Sequence, residues 1–336
     1  MVSMKDISQR CQVSVATVSK ALNNRGDISR ETRERICRVA KELGYLPNSS
    51  ARALKTNRSY NLGVLFVDEA DSGLTHSYFS HVLDSFRRGA EEEGYDITFI
   101  SRHAGKNIFS YYEHSKYRGV DGVLVACVDF STEELKELVN GDIPVITIDF
   151  VFDNRTCILS DNVYGMEELV TYIIRQGHEK IAYIHGADSS VTQSRLNSFF
   201  QTMKRFGIPV RKEYMQEGVY HAPDVSAKLT EKLLSLQDRP TCIIYPDDFS
   251  CIGGINVIER QGLSIPADIS VVGYDGQRIA QVMEPKITTY KQNTQELGRI
   301  AAKKLIELIE KPESALIERI VVKGELVQGK SVLQCK

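Results

Sequence analysis

The sequence predicts an α/β protein in two parts, a small helical head followed by a large body of two α/β subdomains. Three observations carry this. Apolar residues recur at helical spacing in three short segments between residues 3 and 43. Residues 1–58 hold 12 Lys+Arg against 5 Asp+Glu; the whole chain holds 42 against 44, which leaves 30 against 39 for the rest. Beyond residue 60, short β-branched runs alternate with helical segments, the pattern of parallel sheets covered by helices.

Ser3-Met4-Lys5-Asp6 has capping-box form, so a helix starts there. Ile7 and Cys11 share one face at i, i+4. Gln12-Val13 make a tight turn and Ser14 caps a second helix, with Val18, Ala21 and Leu22 pointing inward. Asn23-Asn24-Arg25-Gly26-Asp27 is a loop by composition. Ser29 caps a third helix, and Glu31 suits its first turn. Ile36, Val39, Ala40 and Leu43 form its apolar stripe, and Gly44 stops it.

Two short helices joined by a tight turn and braced by a third describe a helix-turn-helix. The outward face of the second helix carries Val15, Ala16, Ser19, Lys20 and Asn23. Val15 and Ala16 suit thymine methyls, and Lys20 can donate to guanine N7 and O6. Thr17 and Ser19 suit phosphate contacts. A basic head attracts nucleic-acid phosphate and an acidic body repels it. Pro47 then breaks the third helix and Asn48 can cap a fourth. That helix is about two turns long, too short to persist alone in water. Leu54 is an apolar residue among Arg52, Lys55 and Arg58. This arrangement fits a minor-groove wedge flanked by phosphate-binding cations.

In the body, strands are expected at 61–67, 97–101, 120–126 and 144–148, with a helix over 79–94. A second series follows, with strands at 180–185, 241–245 and 269–273. Its helices are expected near 164–176, 191–206, 223–236 and 249–261. Two series imply two subdomains, and ligands of open α/β sheets sit at the carboxyl ends of the strands. Polar residues fall there: Asp149, Asp161, Asn162, Asp247, Asp248 and Asp275, with Arg195 in the helix after the 180–185 strand. Asp161 and Asp248 are read as helix caps. Asp149, Arg195, Asp247 and Asp275 are read as ligand contacts, since such groups hold adjacent hydroxyls. Tyr78, Phe79 and Tyr220 could stack on a sugar face.

Residues 3–57 resemble the DNA-binding head of the LacI/GalR family of bacterial transcription regulators. The matching residues are Asp6-Ile7, Val13-Ser14, Ala16-Thr17-Val18-Ser19-Lys20, Leu22-Asn23, Ser29, Thr32-Arg33, Leu43-Gly44-Tyr45, Pro47-Asn48 and Ala51-Arg52-Ala53-Leu54. Asp161-Asn162 with Gly165, Gly177-His178 with Ile181-Ala182, the Pro266–Asp275 run and Ile287-Thr288-Thr289-Tyr290 continue the likeness through the body. The resemblance implies a major-groove second helix and a hinge helix that inserts the residue matching Leu54. DNA contacts are thus expected at Ser14, Val15, Ala16, Thr17, Ser19, Lys20, Asn23, Asn48, Arg52, Leu54 and Lys55. It implies a periplasmic-binding-protein-like body whose Asp149, Arg195 and Asp275 meet ligand hydroxyls. Lys20 stands where arginine is common, which loosens guanine preference. Asp247 stands where the family often has asparagine, which disfavours an anionic effector.

The expected division is a helix-turn-helix domain at 1–46, a hinge at 47–58 and an effector-binding and dimerisation domain at 59–336. Within the last, one subdomain covers about 59–160 and 292–319, the other about 161–291 and 320–336. The expected partners are a palindromic double-stranded operator, a small sugar and a second copy of the chain.

No nucleotide-binding glycine loop, G-x-S-x-G elbow or H-E-x-x-H helix occurs. No catalytic residue, cofactor or metal is therefore expected, although paired carboxylates leave a carbohydrate-acting enzyme as a rival. Control by a phosphorylated carrier protein, which the resemblance implies for some members, is a second alternative. No apolar stretch of about 18 residues occurs, so no membrane span is expected. A missing signal-peptide pattern and seven scattered cysteines point to the cytoplasm.

Overall fold

The computed structural model describes residues 2–22, 28–46, 58–67 and 73–335. The backbone divides into two compact units, Met1–Ser59 and Tyr60–Lys336.

The first unit holds α1 (Met4–Cys11), α2 (Val15–Leu22) and α3 (Arg30–Glu42). At the start of α1, the Ser3 backbone N–H and hydroxyl both donate to Asp6 Oδ2, at 2.7 and 2.8 Å. Gln12 ends the helix in a left-handed conformation, φ 53°. Ser14 Oγ accepts from the Thr17 N–H at 3.0 Å and Ser29 Oγ from the Thr32 N–H at 3.3 Å, so each helix has its hydroxyl cap. Ile7, Cys11, Val18, Ala21, Ile36 and Ala40 are buried together, with Leu22, Val39 and Leu43 packed partly buried around them. The core is small, and the caps therefore matter to its stability.

The second unit begins with β1 (Asn61–Phe66), α4 (Ser77–Glu92), β2 (Asp96–Ile100), β3 (His103–Ala104), β4 (Asn107–Ile108) and α5 (Tyr111–Arg118). β5 (Gly122–Ala126), α6 (Glu133–Asn140), β6 (Val145–Ile148), β7 (Thr156–Ser160), α7 (Asn162–Arg175) and β8 (Ile181–His185) follow. Next are α8 (Ser190–Arg205), β9 (Met215–Glu217), α9 (Pro223–Leu234), β10 (Cys242–Ile244), α10 (Asp248–Arg260) and β11 (Ser270–Asp275). The chain closes with α11 (Arg278–Val282), β12 (Thr288–Lys291), α12 (Thr294–Glu310), β13 (Arg319–Val322) and β14 (Glu325–Val327).

Twelve of these strands form two six-stranded sheets, while β3 and β4 form a separate antiparallel two-stranded ribbon. One has the order β13-β7-β6-β5-β1-β2, the other β14-β12-β11-β10-β8-β9. Within the two large sheets the pairs are parallel except β12 with β14, which is antiparallel at an edge. Interior strands such as β5 and β6 are buried along their whole length because helices cover both faces. The chain passes between the sheets after β7, before α12 and after β13. The last passage corrects the expected boundary at 319/320. Ile320-Val321-Val322 remain in the first sheet, paired in parallel with Ile158-Leu159-Ser160 of β7. α12 returns to the first sheet and packs along α4 through Leu297, Ala301, Ala302 and Leu305 against Val82, Phe86 and Ala90. Gly298 permits this approach, since a Cβ there would overlap the Val82 carbonyl.

Candidate ligand cleft and nucleic-acid interface

On the head, α2 turns Val18 and Ala21 into the core. Its other face presents Val15, 44 % exposed, together with exposed Ala16 and Lys20. Ser14 is exposed, and its hydroxyl also lies 2.8 Å from that of Thr17. Thr17 and Ser19 are half-buried. Asn23, Asn48, Arg52, Leu54 and Lys55 lie outside the described residues.

In the body, groups from the strand ends of both sheets meet. Asp149 follows β6 with φ 57°. Its Oδ1 accepts from the Ser160 N–H at 2.7 Å and its Oδ2 from the Tyr78 hydroxyl at 2.7 Å. Burial pushes this carboxyl above its ordinary range, opposed by the Ser160 and Tyr78 bonds and by Arg195. The backbone carbonyl of Asp149 accepts from Ser190 Oγ at 3.1 Å, a bond from the first sheet's end to the start of α8.

Arg195, 3 % exposed, comes from α8. Its Nε donates to Asn162 Oδ1 at 2.8 Å and its Nη1 to the Pro246 carbonyl at 3.0 Å. Nη2 lies 3.8 Å from Asp275 Oδ1. The guanidinium carbon is 3.6 Å from the Tyr274 ring centre and 5.6 Å from that of Tyr220. Burial disfavours the charge, yet Tyr220, Tyr274 and Asp275 together raise its pKa. Asp275 ends β11 at φ 94°. Its Oδ1 accepts from Gln292 Nε2 at 2.6 Å. Tyr220 packs against Gly186, where a Cβ would overlap its ring, and its hydroxyl is 2.9 Å from that of Thr192. Phe79 packs on Phe66 and Tyr78, with ring centres 5.6 and 4.9 Å apart.

Asp247 departs from expectation. It is fully buried and serves as the N-cap of α10. Its Oδ1 accepts from the Ser250 N–H, and its Oδ2 from the Ser250 hydroxyl and the His221 N–H, all at 2.8–2.9 Å. Both oxygens are engaged inside the protein, so this carboxylate carries no information about the charge of a ligand. Asp248, read from sequence as the cap, is instead the first helical residue and accepts from the Gln277 N–H at 2.6 Å. The cap falls on Asp247 because a cap must have extended φ/ψ, and the extended residue is Asp247, at φ −156° and ψ 169°.

Sequence reasoning missed His76, Asn162 as an arginine partner, Ser190, His221, Gln277 and Gln292. Asn162 and Ser190 could have been found as polar residues at helix starts beside strand ends. His76 and His221 are 145 positions apart in sequence, and no local pattern joins them. Three of the six non-glycine residues with positive φ among the described residues, Asp149, His221 and Asp275, lie where these strand ends meet. Such conformations persist where the surroundings over-determine them, and they cluster at binding sites. Among the described residues no group of three His, Cys, Asp or Glu could hold a metal ion, and no helix is long and apolar enough to cross a membrane. All seven cysteines are free thiols.

Both parts of the chain have known relatives. The family described as "Bacterial regulatory proteins, lacI family" matches residues 3–48, and "Periplasmic binding protein-like domain" matches residues 170–332. The "Probable HTH-type transcriptional repressor ExuR" of Bacillus subtilis (strain 168) is 31 % identical over 335 residues, covering 99 % of this chain and 98 % of that protein. The HTH-type transcriptional repressor PurR of Vibrio vulnificus (strain CMCP6) is 31 % identical over 325 residues, 93 % of each chain. Among solved structures, a lac repressor dimer bound to operator and the anti-inducer ONPF has a TM-score of 0.83 at 25 % identity, covering 99 % of both chains. A complex of the transcriptional regulator CelR with cellobiose has a TM-score of 0.72 at 22 % identity, covering 98 % of this chain and 100 % of that one.

Proposed function

This chain belongs to the lacI family of bacterial regulatory proteins, and on that premise we propose that it is a transcriptional repressor whose operator affinity is set by a small sugar in the body cleft. Two copies bind one palindromic operator, because two identical heads match a two-fold DNA site. Val15, Ala16 and Lys20 read base edges from the exposed face of α2, while Ser14, Thr17 and Ser19 position the helix on phosphates. Asn23, Asn48, Arg52, Leu54 and Lys55 complete the DNA contact. The sugar lies among Tyr78, Phe79, Asp149, Arg195, Tyr220 and Asp275. Coupling arises because the ligand binds the DNA-bound and free forms with different affinity.

One observation carries the reading of the cleft. Asp149 and Asp275 come from different sheets, and Arg195 stands 3.8 Å from the second. Carboxylates and a guanidinium arranged this way can each hold neighbouring hydroxyls. The relatives named as repressors and the neighbour solved with cellobiose support it by likeness. Thermal unfolding of the whole chain against neutral mono- and disaccharides and their phosphates tests it. A neutral sugar that raises the melting temperature and changes operator affinity is expected. A response to phosphorylated sugars alone would sink the neutral-sugar assignment, and no response at all would sink the sugar.

A further inference from the structure

One pair of side chains joins the two sheets of the body without belonging to the Asp149–Arg195–Asp275 set. His76, 7 % exposed, precedes α4 and meets Phe79 edge-on, with ring centres 4.9 Å apart at 64°. Phe79 in turn packs on Phe66 at the end of β1. His221 lies between β9 and α9. Its ring is stacked at 26° and 5.5 Å on Phe249 of α10, and its Nε2 is 3.3 Å from Gln277 Nε2. The two imidazoles face each other with centres 3.7 Å apart at 39°. A continuous run of rings, Phe66, Phe79, His76, His221 and Phe249, thus passes from the first sheet to the second.

The pair has the features of a built contact. His221 has φ 54°, a conformation uncommon for non-glycine residues, and the fully buried carboxylate of Asp247 holds its N–H. Its ring is therefore presented by the backbone rather than found by chance rotation. Any hinge motion that separates the sheets must part the imidazoles and expose the flanking rings. Imidazoles hydrate more readily than hydrocarbon rings, so the contact can be broken and remade. The Ser190–Asp149 bond is a second tie between the same halves.

We propose that His76 and His221 are a latch that keeps the two halves of the body closed in the ligand-free protein. The proposal concerns regulation of the cleft described above, and it rests on that reading only for its consequence: a sugar acts on a body already biased toward closure. A ring pair of this kind shifts such an equilibrium by about threefold to tenfold.

The test needs neither sugar nor DNA, so its result is separate from the identity of the ligand. Spin labels carried by unnatural amino acids at exposed Glu137 of α6 and Lys204 of α8 report the distance between the halves. Full-length labelled chain, diluted into unlabelled chain, should give mainly the short distance. His76→Ala and His221→Ala should each enlarge the long-distance population relative to the short one about threefold to tenfold. The double variant should add little to either, because one contact is being removed. His221→Phe, which keeps a ring in place, should restore the short distance, and unfolding curves identify any variant that has lost its fold. Unchanged distances in folded alanine variants, additive effects in the double variant, or a His221→Phe chain as open as His221→Ala would each overturn the latch.

Discussion

Asn162 Oδ1 accepts from Arg195 Nε at 2.8 Å, linking the first residue of α7 to the middle of α8. The arginine is therefore fixed before any ligand arrives, and α7 is itself anchored by Asp161 Oδ1 accepting from the Tyr164 N–H at 3.0 Å. Preorganisation of this kind reduces what a ligand must spend on ordering the site.

Removing the guanidinium should accordingly cost stability as well as ligand response. Arg195→Ala leaves the buried Asn162 Oδ1 and the Pro246 carbonyl without their donor and Asp275 without its nearest cation. A loss of about 3 kcal/mol is expected, the scale for breaking a buried charged contact. Arg195→Lys keeps the charge but cannot make both bonds in one plane, so about half of that loss should remain. Urea unfolding of the whole chain measures both, and an alanine variant of unchanged stability would contradict the geometry.

Asp247→Ala separates a cap from a ligand contact. The substitution removes the acceptor for the Ser250 N–H and for the His221 N–H. A destabilisation of about 2 kcal/mol is expected, at the upper end for a helix cap because the second donor is also orphaned. Asp247→Asn retains one acceptor oxygen and should lose less. Denaturant curves give the answer; a variant with native stability and no sugar response would return Asp247 to the ligand.

Most of the architecture was legible because the two βα series carry their own periodicity, and the caps at Ser3, Ser14 and Ser29 stand where hydroxyls precede helical runs; interior strands β7 and β12 and helices α5, α6 and α12 were not singled out. The edge strands were less legible. β9 has three residues and β14 three, too few for a period, and β13 reads equally well on either side of the boundary. Asp149, Arg195 and Asp275 were visible because strand ends are named by the strands. The cap at Asp247 rather than Asp248 was not, since adjacent aspartates differ only in φ/ψ. The His76–His221 contact depends on tertiary approach alone.

Charge separation gives a prediction about the head. Residues 1–58 carry 12 basic and 5 acidic side chains. If about six of the cations per bound dimer displace condensed counterions, log Kobs should fall with log salt at a slope of about −5. Lys20→Ala should weaken the preferred site more than random DNA if Lys20 reads a base, and both equally if it meets phosphate. Titrations of full-length protein on both DNAs at several salt concentrations measure slope and discrimination together. A slope near zero would leave the charge asymmetry without a role in DNA binding.

Asp149 sets the sign of a pH effect. Burial holds its carboxyl above the ordinary 3.8, so the folded chain keeps a proton that the unfolded chain releases. The group's stabilising contribution is fully present below the unfolded value and is lost as pH rises through the folded one. Asp149→Asn removes the titration while keeping both bonds: the amide oxygen can accept from the Ser160 N–H, and the amide nitrogen can donate to the Tyr78 hydroxyl once that rotates. The wild type should therefore lose stability relative to Asp149→Asn as pH rises from about 3.5 toward neutrality, at up to about 1.4 kcal/mol per pH unit within the window. Other carboxylates titrate in both chains and cancel in the difference. Paired unfolding curves across that range test it. A wild type that instead gains on the variant as pH rises would mean that the Ser160 and Tyr78 bonds and Arg195 outweigh burial, and that Asp149 meets a ligand fully ionised down to low pH.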